Sequence, residues 1–184
     1  MIAIKNEQEL GYMRQACKIT AAARALAGEM VKPGVATRQI DKAVHDFIVA
    51  QGAKPSFLGY HGFPASTCIS VNSTVIHGIP GGYVLQEGDI VSVDVGAYYK
   101  GFHGDCAATF PCGTVSTEAQ RLIQVTKQSF FEGMRFAKNG HRVSVFCVIN
   151  CFGDRYTPHH PHCGSLPSRV SLLKPNAYLL ALLP

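Results

Sequence analysis

A mixed fold of the α/β (α+β) class is predicted by this 184-residue sequence on three observations. The first fifty residues carry apolar stripes at helical spacing. The stretch from Pro55 to Pro111 is dense in glycine, aromatic and β-branched residues, and a third helical stripe follows from Thr117.

Taken in order, Asn6 followed by Glu9 has the spacing of a helix-capping pair, and Leu10, Met13 and Cys17 continue one stripe to the stop at "VKPG". A first helix over about 7–31 is expected. Thr37 has the chemistry of an N-cap for a second helix that presents Ile40, Val44, Phe47 and Ile48 on one face and ends at Gly52. Strands are expected near "STCISV" and "TVIHGI", with Asn72 and Ser73 between them, and a hairpin after the turn at "QEGD". The third helix is expected from Thr117 to about Ala137, carrying Leu122, Phe130 and Met134. The ends of the first and third helices, "EMVKPGVATRQI" and "GMRFAKNGHRVSV", echo one another, as if a second copy of the first half began near residue 116.

The composition narrows the function classes. A hydrophobic content of 47% with 16% charged residues describes a globular chain with a core, not a disordered one. The formal charge of +5 is mild, its Lys and Arg residues are scattered and Trp is absent, which argues against a dedicated DNA or other nucleic-acid surface. No stretch approaches the roughly 20 apolar residues of a membrane span. Seven cysteines form an odd set without close paired spacing, and "MIAIKNEQEL" carries no apolar signal region. Reduced thiols and a cytoplasmic location are the expectation.

The segment "VSVDVGAYYKGFHGD" raises the chemical question. Val91, Val93 and Val95 alternate with Ser92, Asp94 and Gly96 as on a half-buried strand, and "YYKG" is short enough for a hairpin loop. With an even loop, residues an odd number apart share a face, and Asp94 and Asp105 are eleven apart. A loop at Tyr99 and Lys100 sets them directly opposite; one at Lys100 and Gly101 makes them diagonal neighbours. Two carboxylates that close repel unless one is protonated or a cation lies between them. Hard oxygen donors favour a divalent ion of the magnesium, manganese, iron, cobalt or zinc range. A turn-capping aspartate, or a pair with Lys100, is the plainer alternative.

The residues "LGYHGFPASTCISVNSTVIHGIP" followed by "GDIVSVDVGAYYKGFHGD" resemble the methionine aminopeptidases of the simpler type, over about residues 1–143. The resemblance implies a pita-bread fold of two similar halves, with two divalent metal ions (cobalt, manganese, iron, zinc or similar) between them. By that resemblance Asp94 binds one metal through both oxygens, Asp105 bridges the two, and His77 hydrogen-bonds the substrate and the developing tetrahedral intermediate. Tyr60, Phe63 and Cys68 match positions lining the methionine pocket, where aromatic and sulfur contacts suit a thioether, and His61 lies near its entrance. The structural alternatives are a turn histidine before Gly78 for His77 and ordinary core packing for Tyr60 and Phe63. The implied activity is removal of the initiator methionine from nascent polypeptides, with their N-termini, and the ribosome surface, as partners. The alternative is a non-catalytic binding module of the same fold, or a truncated fragment.

The chain departs from the family after about Ser144. The resemblance calls for a further histidine and two glutamates as ligands, yet no glutamate follows Glu132 and the sole later acidic residue is Asp154. Residues 144–184 read as a non-homologous, poorly ordered tail of the kind a reading-frame change or early termination produces, beside a domain at 1–143. The first half of the fold is expected intact, the second truncated and the chain weakly active or inactive. The tail's "HHPHC" has donors that suit zinc at His159, His160, His162 and Cys163, but four donors within five residues, with a proline among them, do not easily surround one ion.

Overall fold

The computed structural model describes residues 4–140, so the tail and its His-rich cluster lie outside the described residues. The described chain falls into two compact units, one ending at Val115 and one opening at Ser116.

The first unit opens with α1 (Glu7–Met30), whose start is fixed by a reciprocal cap: Asn6 Oδ1 accepts from the Glu9 amide at 2.9 Å, and Glu9 Oε2 accepts from the Asn6 amide at 2.8 Å. The second helix, α2 (Thr37–Ala50), corrects an expectation. Thr37 is its first helical residue, not its cap: Ala36 caps, with its amide bonded to Gln39 Oε1 at 2.8 Å. The Thr37 hydroxyl is instead engaged by the Gly81 backbone, accepting from its amide at 2.9 Å.

Four strands follow among the described residues: β1 (Lys54–Pro55), β2 (Thr67–Val71), β3 (Ile90–Tyr99) and β4 (Phe102–Pro111). All pair antiparallel with β3, with β1 and β2 end to end along one side and β4 on the other. The "TVIHGI" segment is not a strand. Asn72 turns with φ 52°, the chain leaves the sheet, and Val75, Ile76 and Ile79 stand exposed. Its apolar alternation imitates a strand, but Asn72 ties the loop to the start of β3 by accepting the Ile90 amide at 3.0 Å, and Gly78 alone returns to β2.

The β3–β4 hairpin closes on two residues, Lys100 and Gly101, with φ of 46° and 94°. Positive φ at both central positions is what a type I′ turn demands. Lysine is a poor residue for it, and its Nζ sits over the Tyr12 and Tyr99 rings at 5.0 and 5.5 Å, contacts that favour the turn.

The core lies on one side of the sheet. Val91, Val93, Val95 and Ala97 of β3, with Ile69 of β2, meet Ile19, Ala23 and Ala27 of α1 and Ile40, Val44 and Ile48 of α2. Each fully buried Val or Ile contributes about 1.5–3 kcal/mol. Small residues bring α1 close: a Cβ at Gly104 of β4 would lie 2.6 Å from the Ala16 carbonyl. The second unit contributes α3 (Thr117–Met134), capped by Ser116 and ending three residues short of the expected Ala137, with Leu122 half-exposed.

Candidate metal centre

Because the valines of β3 face the helices, the alternate residues Ser92, Asp94 and Gly96 face away from them. The register carries the rule across the sheet: Asp94 stands between Cys68 of β2 and Ala107 of β4, and Gly96 stands opposite Asp105. Asp94 and Asp105 are therefore diagonal neighbours on one face, with a separation across the strands of roughly 7 Å. This is the register of the Lys100–Gly101 loop, one of the two the sequence allowed.

The two carboxyls come within hydrogen-bonding reach of each other, and Asp94 also accepts from the Val95 amide. Burial raises the pKa of both. For Asp105 the negative Asp94 adds to the rise, so the metal-free pair tends to retain a proton. One buried oxygen on each, Oδ1, has no hydrogen-bond partner among the described residues. Two buried, unpartnered carboxylate oxygens on diagonally neighbouring side chains fit a hard divalent cation. The fit is partial, because no group of three or more His, Cys, Asp or Glu side chains among the described residues is arranged to hold a metal.

Cys68 borders the pair directly. Its thiol is pushed up to about 12 by burial, then by the charges of Asp94 and Asp105, which makes it an inert packing group at neutral pH. His77 lies in the loop beyond β2, with φ 55°, an unusual conformation for a non-glycine residue. It is held there by Gly78, whose carbonyl accepts the Ile69 amide at 2.8 Å and whose amide donates to Ser70 Oγ at 3.1 Å. Since β2 separates this loop from β3, the His77 backbone lies about two strand spacings, roughly 10 Å, from Asp94. Tyr60 and His61 occupy a short 3₁₀ turn (Tyr60–Gly62) between β1 and β2, with ring centroids 4.4 Å apart. Tyr60 is 58% exposed and Phe63 half-buried, so neither is core packing within this unit.

Several side chains of this face escaped the sequence reading. Ser92 Oγ and Thr109 Oγ1 pair at 2.8 Å, Ser56 Oγ meets His103 Nδ1 at 2.9 Å, and the Phe57 ring fills the space left by Gly96, beside Asp105. Hairpin parity alone would have found Thr109 and His103, since odd-numbered β4 residues share the face of Asp105. Nothing local announced Ser56 or Phe57.

Comparison with known proteins bears on this arrangement. Residues 11–146 match the profile of metallopeptidase family M24. The chain belongs to that family. Among curated M24 relatives, methionine aminopeptidase of Clostridium perfringens is 49% identical over 144 residues, which cover 78% of this chain and 58% of the relative. That of Clostridium acetobutylicum is 52% identical over 145 residues, with the same shares. The crystal structure of methionine aminopeptidase from Rickettsia prowazekii superposes with a TM-score of 0.71 at 39% identity, covering 73% of this chain and 54% of that one. Prolidase from Pyrococcus furiosus, at 22% identity and TM-score 0.73, shares the fold, covering 83% of this chain and 44% of its own. The architecture is the pita-bread fold of these enzymes, and the chain spans about 58% of the length of the first curated relatives it matches.

Proposed function

We propose that residues 1–143 are the aminopeptidase-like part of a metal-dependent hydrolase that releases the initiator methionine from nascent polypeptides in the cytoplasm. The observation that carries this reading is the pair of unpartnered buried oxygens on Asp94 and Asp105. In the metal-free state the pair is held together by a shared proton or not at all, so its placement has a use only when cations neutralise it. A fold kept only as a binding module has no need of two such groups.

Asp94 and Asp105 would hold the metal, two ions of the cobalt, manganese, iron or zinc kind. Bound there, such ions would supply Lewis-acid chemistry, activating water near neutral pH and polarising the scissile carbonyl. The protein's own residues do the rest. His77 donates a hydrogen bond to the substrate as charge builds up on its carbonyl oxygen. Cys68, Tyr60 and Phe63 line the pocket for the methionine thioether, with His61 at its entrance. The substrate partners are unfolded N-termini, met near the ribosome surface.

The two carboxylates found among the described residues do not complete a coordination sphere, so little or no turnover is expected of the 184-residue chain by itself. Methionine release from a Met-Gly peptide, assayed with added cobalt or manganese, checks this: background rates are expected. Isothermal titration should still detect manganese binding, weakened at least about a hundredfold in Asp94→Asn, since even outer partners of metal ligands are worth 10–100-fold. Robust turnover would overturn the incompetence of the chain; absence of metal binding would overturn the site itself.

A further inference from the structure

The strand that borders Asp94 is held at its start by a group outside the site. On α2, Asp41 and His45 are one turn apart and so share a side of the helix, next to the core stripe of Ile40, Val44 and Ile48. Asp41 Oδ1 accepts three hydrogen bonds: from the Ser66 amide at 3.0 Å, the Thr67 amide at 2.8 Å and the Thr67 hydroxyl at 2.7 Å. His45 Nδ1 meets Ser66 Oγ at 2.8 Å. Directly after Thr67 comes Cys68, the cross-strand partner of Asp94.

Local strand pairing does not require this. Thr67 already pairs with Val95, and a single capping oxygen would satisfy its amide. Three donors converging on one carboxylate oxygen fix both the position and the direction of the chain as it enters β2, because charge-assisted bonds are short and directional. We infer that Asp41 is a positioning residue that acts through Ser66 and Thr67 to hold Cys68 against Asp94, with His45 supporting it through the Ser66 hydroxyl. That Cys68 then borders a substrate pocket rests on the function proposed above; the mechanical coupling does not.

Cysteine alkylation separates the two. Cys68, Cys17, Cys106 and Cys112 are all buried and free, so each reports the opening of its own segment when labelled by N-ethylmaleimide and mapped by mass spectrometry. In the full chain, Asp41→Asn should raise the labelling rate of Cys68 about tenfold, the size expected for loss of a charge-assisted bond, and leave the other three unchanged. Thr67→Val should give a smaller rise, and Thr67→Ser, which keeps the hydroxyl, should restore the native rate. Should Asp41→Asn fail to fold, the Thr67 pair carries the test. Equal acceleration at all four cysteines, or none at Cys68, would overturn the inference. Failure of manganese to bind the native chain would overturn the proposed function and leave the labelling result standing.

Discussion

Asp105 illustrates how a residue suited to chemistry burdens the fold around it. It faces Asp94 with a buried, unpartnered oxygen, so in the absence of metal the folded state must hold either two repelling charges or one proton. An asparagine side chain at this position would donate its amide to Asp94 with no proton required. Asp105→Asn is therefore expected to stabilise the metal-free chain by about 1 kcal/mol at pH 8, a rise of several degrees in melting temperature, and to lose its thermal response to manganese. Asp89 behaves in the opposite way. Burial works against its charge, but the Gln86 amide, the Asn72 side chain and the Tyr83 hydroxyl all donate to it, and the net effect holds its carboxyl below the ordinary range. A lowered folded pKa gives stability that is present above the unfolded value of about 3.9 and lost as pH falls through the folded one. Asp89→Asn, which turns a donor toward donors, should cost about 1–3 kcal/mol at pH 7. Denaturant titrations at a series of pH values should show that gap shrinking below about pH 4. The sharing of a face by Asp94 and Asp105 was legible in the sequence because strand parity is a local rule. The bonds of Asp41 were not, since they join residues 25 and 26 positions apart.

Among elements, local capping and periodicity predicted well where a segment packs on its own pattern. The reciprocal cap set the start of α1, and the valine alternation set β3. The failures fell where a distant partner decides. "TVIHGI" has the composition of a strand, but Asn72 binds the entry to β3 and Gly78 alone reaches β2, where a Cβ would collide with the Ile69 carbonyl. The α1–β4 contact depends on an equally close approach. Gly104→Ala would drive a methyl into the Ala16 carbonyl, a rigid backbone group, and should destabilise the first unit by about 1–3 kcal/mol, read from the midpoint of urea unfolding. Hairpin length is constrained as well. Removing one residue between Tyr99 and Gly104 leaves the chain to give up its turn or to send Asp105 to the helix side of the sheet.

For the molecule as a whole, metal affinity and stability are one quantity measured twice. A ligand that binds the folded chain alone adds RT ln(1 + [L]/Kd), about 2.7 kcal/mol at a hundredfold excess over Kd. Manganese should accordingly raise the melting temperature of the native chain, and a chelator should reverse the shift; no shift in the wild type would count against the centre. The same sheet carries a consequence for biosynthesis. Every other strand among the described residues pairs with β3, so β1 and β2 emerge without a mate and wait for it. The 18 residues between Val71 and Ile90 take roughly one to four seconds to translate at ordinary speed. During that interval "TCISV" is an apolar, β-prone segment with bare edges, and a nascent-chain chaperone is the natural guard for it.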